Sequence, residues 1–339
     1  MKITKLSITV LALLFFASPL FGETAGGRIT ITVDLSANEQ NKKVQLWLPY
    51  PVTNRYQSIT DIKVEGNYSS SAVYTDSIYQ NPILYASWDE KTANRNLTFI
   101  FNAEREEVEK RSFPIKETAW DPADYSLYLT PTKFGPVNGE VKKLADKITT
   151  GKTGVLEKAK AIYDWTCENT WRNPETRGCG IGDMSRLLKN PCGKCADISS
   201  IFVALTRAAG VPSREILGIR QGKKPVQDIT KWQHCWAEFF LPGYGWVPVD
   251  PADVRKMMLK EKLELSDAKT ISNRNYFWGG IDPYRIKLGE GRDLKLNPPQ
   301  HGEPVNYLMY PFAQVGEDTL DWLDPETFKY TIIYTETPE

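Results

Sequence analysis

Two cysteines three residues apart, Cys192 and Cys195, stand in the stretch NPCGKCADISSIFVALTRAAG, just ahead of a long apolar run. That spacing serves dithiol exchange, half of a zinc site, or a single nucleophile, and the surroundings must decide. A redox pair would follow a β-strand, but the preceding GDMSRLLKNP lacks the alternation of a strand. A zinc set of Cys192, Cys195, His234 and Cys235 would draw two ligands from adjacent residues of an extended segment, which face opposite ways. A nucleophile fits better. Cys195 opens a helix, where unpaired N–H groups and the positive dipole end favour a thiolate, and Gly193 permits unusual backbone angles and close substrate approach.

A thiol nucleophile needs a base, and the chain has two histidines, His234 in a strand-like segment and His301 in a Pro/Gly loop. Folding QHCWAEFFLPGYGWVPVDP about Gly243 sets Asp250 opposite Trp236. His234 lies two residues from Trp236, on the same face and one pleat away. The carboxylate can then fix the imidazole tautomer and stabilise the imidazolium, which is the logic of a catalytic triad with sulfur as nucleophile. Each residue alone has a plainer reading: a buried small thiol, a satisfied sheet residue and a turn carboxylate. The agreement of all three in one geometry favours chemistry. The catalytic candidates are Cys195, His234 and Asp250.

The elements that must hold them change character along the chain. Over residues 23–130, Ile29, Ile31, Val33 and Leu35, then Val44, Leu46 and Leu48, then Leu97, Phe99 and Phe101 alternate with polar residues between turn-rich stretches. That pattern predicts an antiparallel β-sandwich. A Pro- and aromatic-rich connector follows. In TGVLEKAKAIYDWTCENT, Leu156, Ala159, Tyr163 and Thr166 form a helical stripe. Ile198, Ile201, Phe202, Leu205, Ala208 and Ala209 predict a mostly buried helix after Cys195, stopped by Gly210 and Pro212. REILGIR and HCWAEFFL read as strands, and WVPVDP as a return strand. The fold class expected is therefore α+β: residues 131–270 form a core of helix on antiparallel sheet, and 271–339 an extension packed on that core, with a strand in FKYTIIYT.

Composition narrows the function. The 339 residues carry 42 basic and 42 acidic side chains, so no basic excess marks a nucleic-acid partner. Residues 1–22, with Lys2, Lys5, an apolar stretch and small residues up to Gly22, read as a secretory signal peptide. The mature protein is expected to be exported, periplasmic or secreted, without stable membrane insertion. Five cysteines, an odd number, leave at least one thiol unpaired in an oxidising compartment. Cys167, Cys179, Cys192 and Cys235 allow two disulfides in three pairings. Cys192 can also bridge Cys195 reversibly and silence it, although a separate structural bridge or free thiol is the plainer reading. Cys235, pointing away from His234, is expected to face packing. GYGW and YFWGG either line a substrate groove or simply pack.

GKCAD opening a helix, QHCWAEFF and GWVPVDPADV resemble the transglutaminase-like superfamily of cysteine enzymes, especially its exported bacterial members. The resemblance covers most of the mature chain. It implies a papain-like core with Cys195 as nucleophile, His234 as base and later acid, and Asp250 as the orienting carboxylate. It implies an amidase, peptidase or transglutaminase acting on a protein or peptide substrate, with cell-envelope peptides among the candidates. In family transglutaminases an indole serves as a second oxyanion donor; Trp165 and Trp171 lie upstream, and their spacing does not single out either. No EF-hand loop or comparable acid cluster is present, so no metal and no cofactor is expected. The rival reading is a non-catalytic adhesion or assembly module that keeps the fold.

Overall fold

The computed structural model describes residues 23–324 and 326–337; the signal-peptide segment 1–22 lies outside them. Among the described residues no helix is long and apolar enough to cross a membrane.

Two five-stranded antiparallel sheets pack face to face. In one, Thr24–Asp34 lies between Asn96–Glu106 and Lys329–Thr335, with Gln57–Gly66 and Val226–Asp228 at the edges. The other runs Asp318–Thr319, Phe312–Val315, Val44–Pro49, Pro82–Trp88, Ser70–Thr75. Ile29, Ile31, Val33, Leu35, Phe99 and Phe101 are buried between the sheets, as their period-two spacing requires. Val44–Pro49 departs from simple alternation because both its faces are covered. Val44, Leu46 and Leu48 face the sandwich core, while Trp47 joins a cluster with Leu294, Leu296, Leu308 and Phe312.

The segment 271–339 therefore does more than pack on the core. Its strands Phe312–Val315 and Lys329–Thr335 complete the two sandwich sheets, and Arg285–Glu290 closes one edge of the core sheet. Pairings between positions about 300 residues apart, such as Ile31 with Ile332, leave no local pattern in the sequence.

The core sheet is antiparallel, ordered Gly245–Val249, Gln233–Leu241, Ser213–Arg220, Arg285–Glu290. The helix Cys195–Ala208 packs on it and is buried along its whole length. Its apolar side meets Ala159, Ile162 and Tyr163 of the helix Val155–Asn169 and Ala237 and Phe239 of the sheet. On one face this core includes Trp278 against Tyr163 and Phe239, and Tyr244 against Phe113. The GYGW and YFWGG aromatics accordingly serve packing. Full burial on this scale anchors the helix rigidly, which fixes the position of its first residue.

Candidate active site

Cys195 is the first residue of its helix, and Lys194 is the N-cap with extended backbone. At the third helical position, the buried Asp197 receives the N–H groups of Lys194 at 3.4 Å and Gly182 at 2.9 Å and pairs with Arg186 at 2.8 Å. This carboxylate caps the helix and ties two loops to it. It also explains Gly193 differently from the expectation. A Cβ at Gly193 would lie 2.0 Å from Asp197 Oδ2, and one at Gly180 equally close, so these glycines make room for the carboxylate. Gly193 does not need a left-handed backbone; Gly180 does, with φ at +92°. The Ala196 N–H bonds Cys179 O at 2.9 Å, while the Cys195 N–H donates to no protein acceptor among the described residues. It is free for an oxyanion.

The hairpin register is the expected one. Ala237 pairs with Val249, so Trp236 falls opposite Asp250, at the end of the return strand. His234 Nε2 lies 2.7 Å from Asp250 Oδ2, and both residues are buried. Asp250 Oδ1 caps the helix Pro251–Glu261 by accepting the Asp253 N–H at 2.9 Å. With Nε2 facing the carboxylate, Nδ1 is the ring nitrogen left to take a proton.

A buried arginine that sequence reasoning missed completes this side. Arg285 pairs with Asp250, with Asp253 at 2.8 Å and with Asp282 at 2.7 Å. Arg220 also pairs with Asp253 at 2.5 Å. Burial pushes the Asp253 carboxyl up, but Arg220, His234 and Arg285 outweigh it and hold the group well below the usual carboxylate range. His234, Asp250 and Asp253 bring three ligand atoms within 4.8 Å of one another. The positive charge that such a set attracts is already supplied by two guanidinium groups. No cysteine belongs to a three-ligand group among the described residues, which leaves no basis for the zinc set.

The nucleophile's sulfur has neighbours that the sequence did not announce. All five cysteines are free thiols, so none of the three disulfide pairings occurs. Cys179, Cys195 and Cys235 fall in one buried cluster. The neighbouring Cys179 thiol, then the Cys235 thiol, pull the Cys195 thiol well below its ordinary range against the cost of burial, and His234 lowers it further. Cys235 thus acts on Cys195 rather than only filling the core. The Cys179 and Cys235 thiols move the opposite way: Cys179 is raised by the neighbouring Cys195 sulfur and then by burial, while its S–H donates to Gln233 O at 3.4 Å, and Cys235 is raised by burial and then by Cys195. Tyr310 in turn donates its hydroxyl to Cys179 Sγ at 3.1 Å. Cys192, the neighbour in sequence, instead bridges Trp171 in a two-residue parallel ladder and does not line the cavity.

That cavity, about 590 Å³, opens over Cys195, Cys179 and His234. One wall is aromatic and comes largely from the C-terminal segment: Tyr310, Trp322, Phe328 and Tyr330, with Trp232 beside them. Neither Trp165 nor Trp171 lines it. The indole with an unused buried donor on the cavity wall is Trp322, whose Nε1 has no partner among the described residues. A helix-tip thiol of lowered pKa, an imidazole fixed by a carboxylate and a free N–H beside a cavity can attack a carbonyl and stabilise the oxyanion that results.

A family model described as the transglutaminase-like superfamily matches residues 142–251, a span that contains Cys195, His234 and Asp250. The chain carries a transglutaminase-like superfamily domain. An uncharacterized protein of Haemophilus influenzae is 36 % identical over 330 residues, covering 90 % of this chain and 89 % of that one. The protein-glutamine gamma-glutamyltransferase of Pseudomonas aeruginosa is 31 % identical over 179 residues, covering 48 % of this chain but 26 % of its own length. Among solved structures, a candidate cysteine protease from Cytophaga hutchinsonii shares the fold, with a TM-score of 0.55 at 15 % identity over 92 % of this chain and 99 % of that one. The fold shared with that structure thus extends beyond the matched segment to the sandwich strands.

Proposed function

We propose that this transglutaminase-like protein is an exported cysteine-dependent acyl-transfer enzyme acting on peptide or carboxamide bonds. The observation that carries the reading is the His234–Asp250 pair, 2.7 Å apart and buried, on the same cavity as a helix-tip thiol whose pKa is depressed. Transfer of the Cys195 proton to His234 Nδ1 gives a thiolate and an imidazolium that Asp250 stabilises. The sulfur then adds to the carbonyl carbon, and the oxyanion takes the Cys195 N–H. The imidazolium returns its proton to the departing amine as the C–N bond breaks, leaving a thioester. Water or a second amine, deprotonated by His234, attacks the thioester and frees Cys195, giving hydrolysis or transfer respectively. Export rests on the signal-like segment 1–22.

The test is to incubate the mature protein and its Cys195→Ala variant with envelope peptides and exported proteins. New amines, freed ammonia or cross-links that vanish in the variant are expected. Equal product in both would reject the reading.

A further inference from the structure

The charge of the cavity is as one-sided as that of the chain is balanced. Among its lining residues are Arg172, Arg177, Lys194, Arg220, Lys231 and Lys256, and among the described residues no Asp or Glu lines it. Over the whole sequence, by contrast, basic and acidic side chains are equal at 42 each. Two of the six cations are satisfied: Arg177 by Asp321 at 2.5 Å and Arg220 by Asp253 at 2.5 Å. Among the described residues, Arg172, Lys194, Lys231 and Lys256 have no carboxylate within salt-bridge distance. Lys256 is half-buried, and burial followed by the Arg220 guanidinium drives its ammonium below the ordinary range, with Arg172 adding to the effect and Asp253 opposing it. Like charges gathered around a concave, partly dry space repel one another unless an anion joins them.

The cations line the same cavity as Cys195 and His234. Lys194 precedes the nucleophile, and Arg172 lies on the short ladder paired with Gly193. Lys231 precedes His234, and Lys256 lies on the helix that Asp250 caps. Taking the acyl-transfer reading of this site as its basis, we infer that the acyl donor is an acidic peptide, carrying carboxylates on both sides of the reacting amide. An amide donor is a peptide in the first place, and its ordinary anionic groups are Asp and Glu side chains and a chain-terminal carboxylate. Complementary charge of this kind raises association and sets specificity, while the aromatic wall takes the apolar part of the chain.

The experiment uses the full mature protein with three peptides of one length, each holding a central glutamine flanked by glutamates, serines or lysines. Binding to the Cys195→Ala variant is followed by tryptophan fluorescence, and release of ammonia and of new amines is measured with the native enzyme. The acidic peptide should bind at least about tenfold more tightly than the neutral one, with the advantage shrinking as salt is raised. Lys231→Glu and Lys256→Met should each lower the acidic-to-neutral ratio, and the lysine-flanked peptide should bind least. Equal binding of the three peptides, or a preference for the basic one, overturns the inference. So does tighter binding of a matched phosphopeptide, which would assign the cations to phosphate instead. Selective binding of the acidic peptide without turnover would keep the cavity's preference for acidic peptides and reject the acyl-transfer reading, whereas turnover without that selectivity would do the reverse, so the two failures are distinct.

Discussion

Arg285 and Asp250 are both fully buried, and the arginine pairs with the same carboxylate oxygen, Oδ2, that faces His234 Nε2. The imidazole is therefore oriented by a carboxylate that is itself held from behind. Replacing Arg285 with Met should destabilise the fold by about 3–5 kcal/mol, because Asp250 and Asp282 lose their buried counter-charge. Arg285→Lys should recover part of that loss. Urea unfolding of the three proteins checks it; an unchanged midpoint for Arg285→Met would mean that the pair contributes nothing.

The same network sets the acid limit of the protein. Burial pushes Asp282 up, but Arg285 more than reverses this, so Asp253 and Asp282 both stay below their ordinary range. Unfolded aspartates titrate near about 3.9, so on acidification the unfolded chain takes up protons before the folded one does. The stabilisation is complete above about pH 5 and is lost as pH falls toward the folded values. Stability of the native protein should drop steeply below about pH 4, and that of Arg285→Met less steeply. Parallel slopes in denaturant titrations across this range would refute the assignment.

Asp250→Asn separates charge from packing. An asparagine can still accept the Asp253 N–H, so the helix cap survives, but it cannot stabilise an imidazolium. Turnover should fall by roughly a thousand- to ten-thousand-fold, while the unfolding midpoint falls less than in Arg285→Met because Asp253 and Asp282 still pair with Arg285. A fall of less than tenfold in kcat would remove Asp250 from the chemistry.

Cys179 should tune the nucleophile. Its thiol is the leading cause of the lowered Cys195 pKa, so Cys179→Ala should move the pH profile of Cys195 alkylation upward, slowing labelling in mildly acidic buffer. Cys192→Ala should leave the profile in place, since Cys192 does not line the site. Coincident profiles for Cys179→Ala and the native protein would show that the thiolate owes nothing to this neighbour.

What the sequence revealed of this site follows from how far apart its parts lie along the chain. Cys195 was legible from a helix start, and the His234–Asp250 pair from a hairpin whose register Gly243 sets over a few residues. Arg285 was not, because it reaches Asp250 from the opposite edge of the sheet, 35 residues away, and no periodicity marks an ion pair across strands. Cys179 arrives by a loop whose path depends on the left-handed Gly178 and Gly180. The aromatic wall is built from the C-terminal return of the chain, which alternation identified as strand without revealing its partners. The four cysteines beside Cys195 suggested disulfides by their number, whereas the fold places two of them as thiols around a third.

Competitive alkylation tests the central claim most directly. The native protein is treated with limiting iodoacetamide at pH 6, and each of the five cysteines is quantified by peptide mass spectrometry. Cys195 should be modified much faster than free cysteine and ahead of the other four, and His234→Ala should abolish that lead. Labelling of Cys195 no faster than free cysteine, or unaffected by loss of His234, would contradict an activated nucleophile at this helix tip.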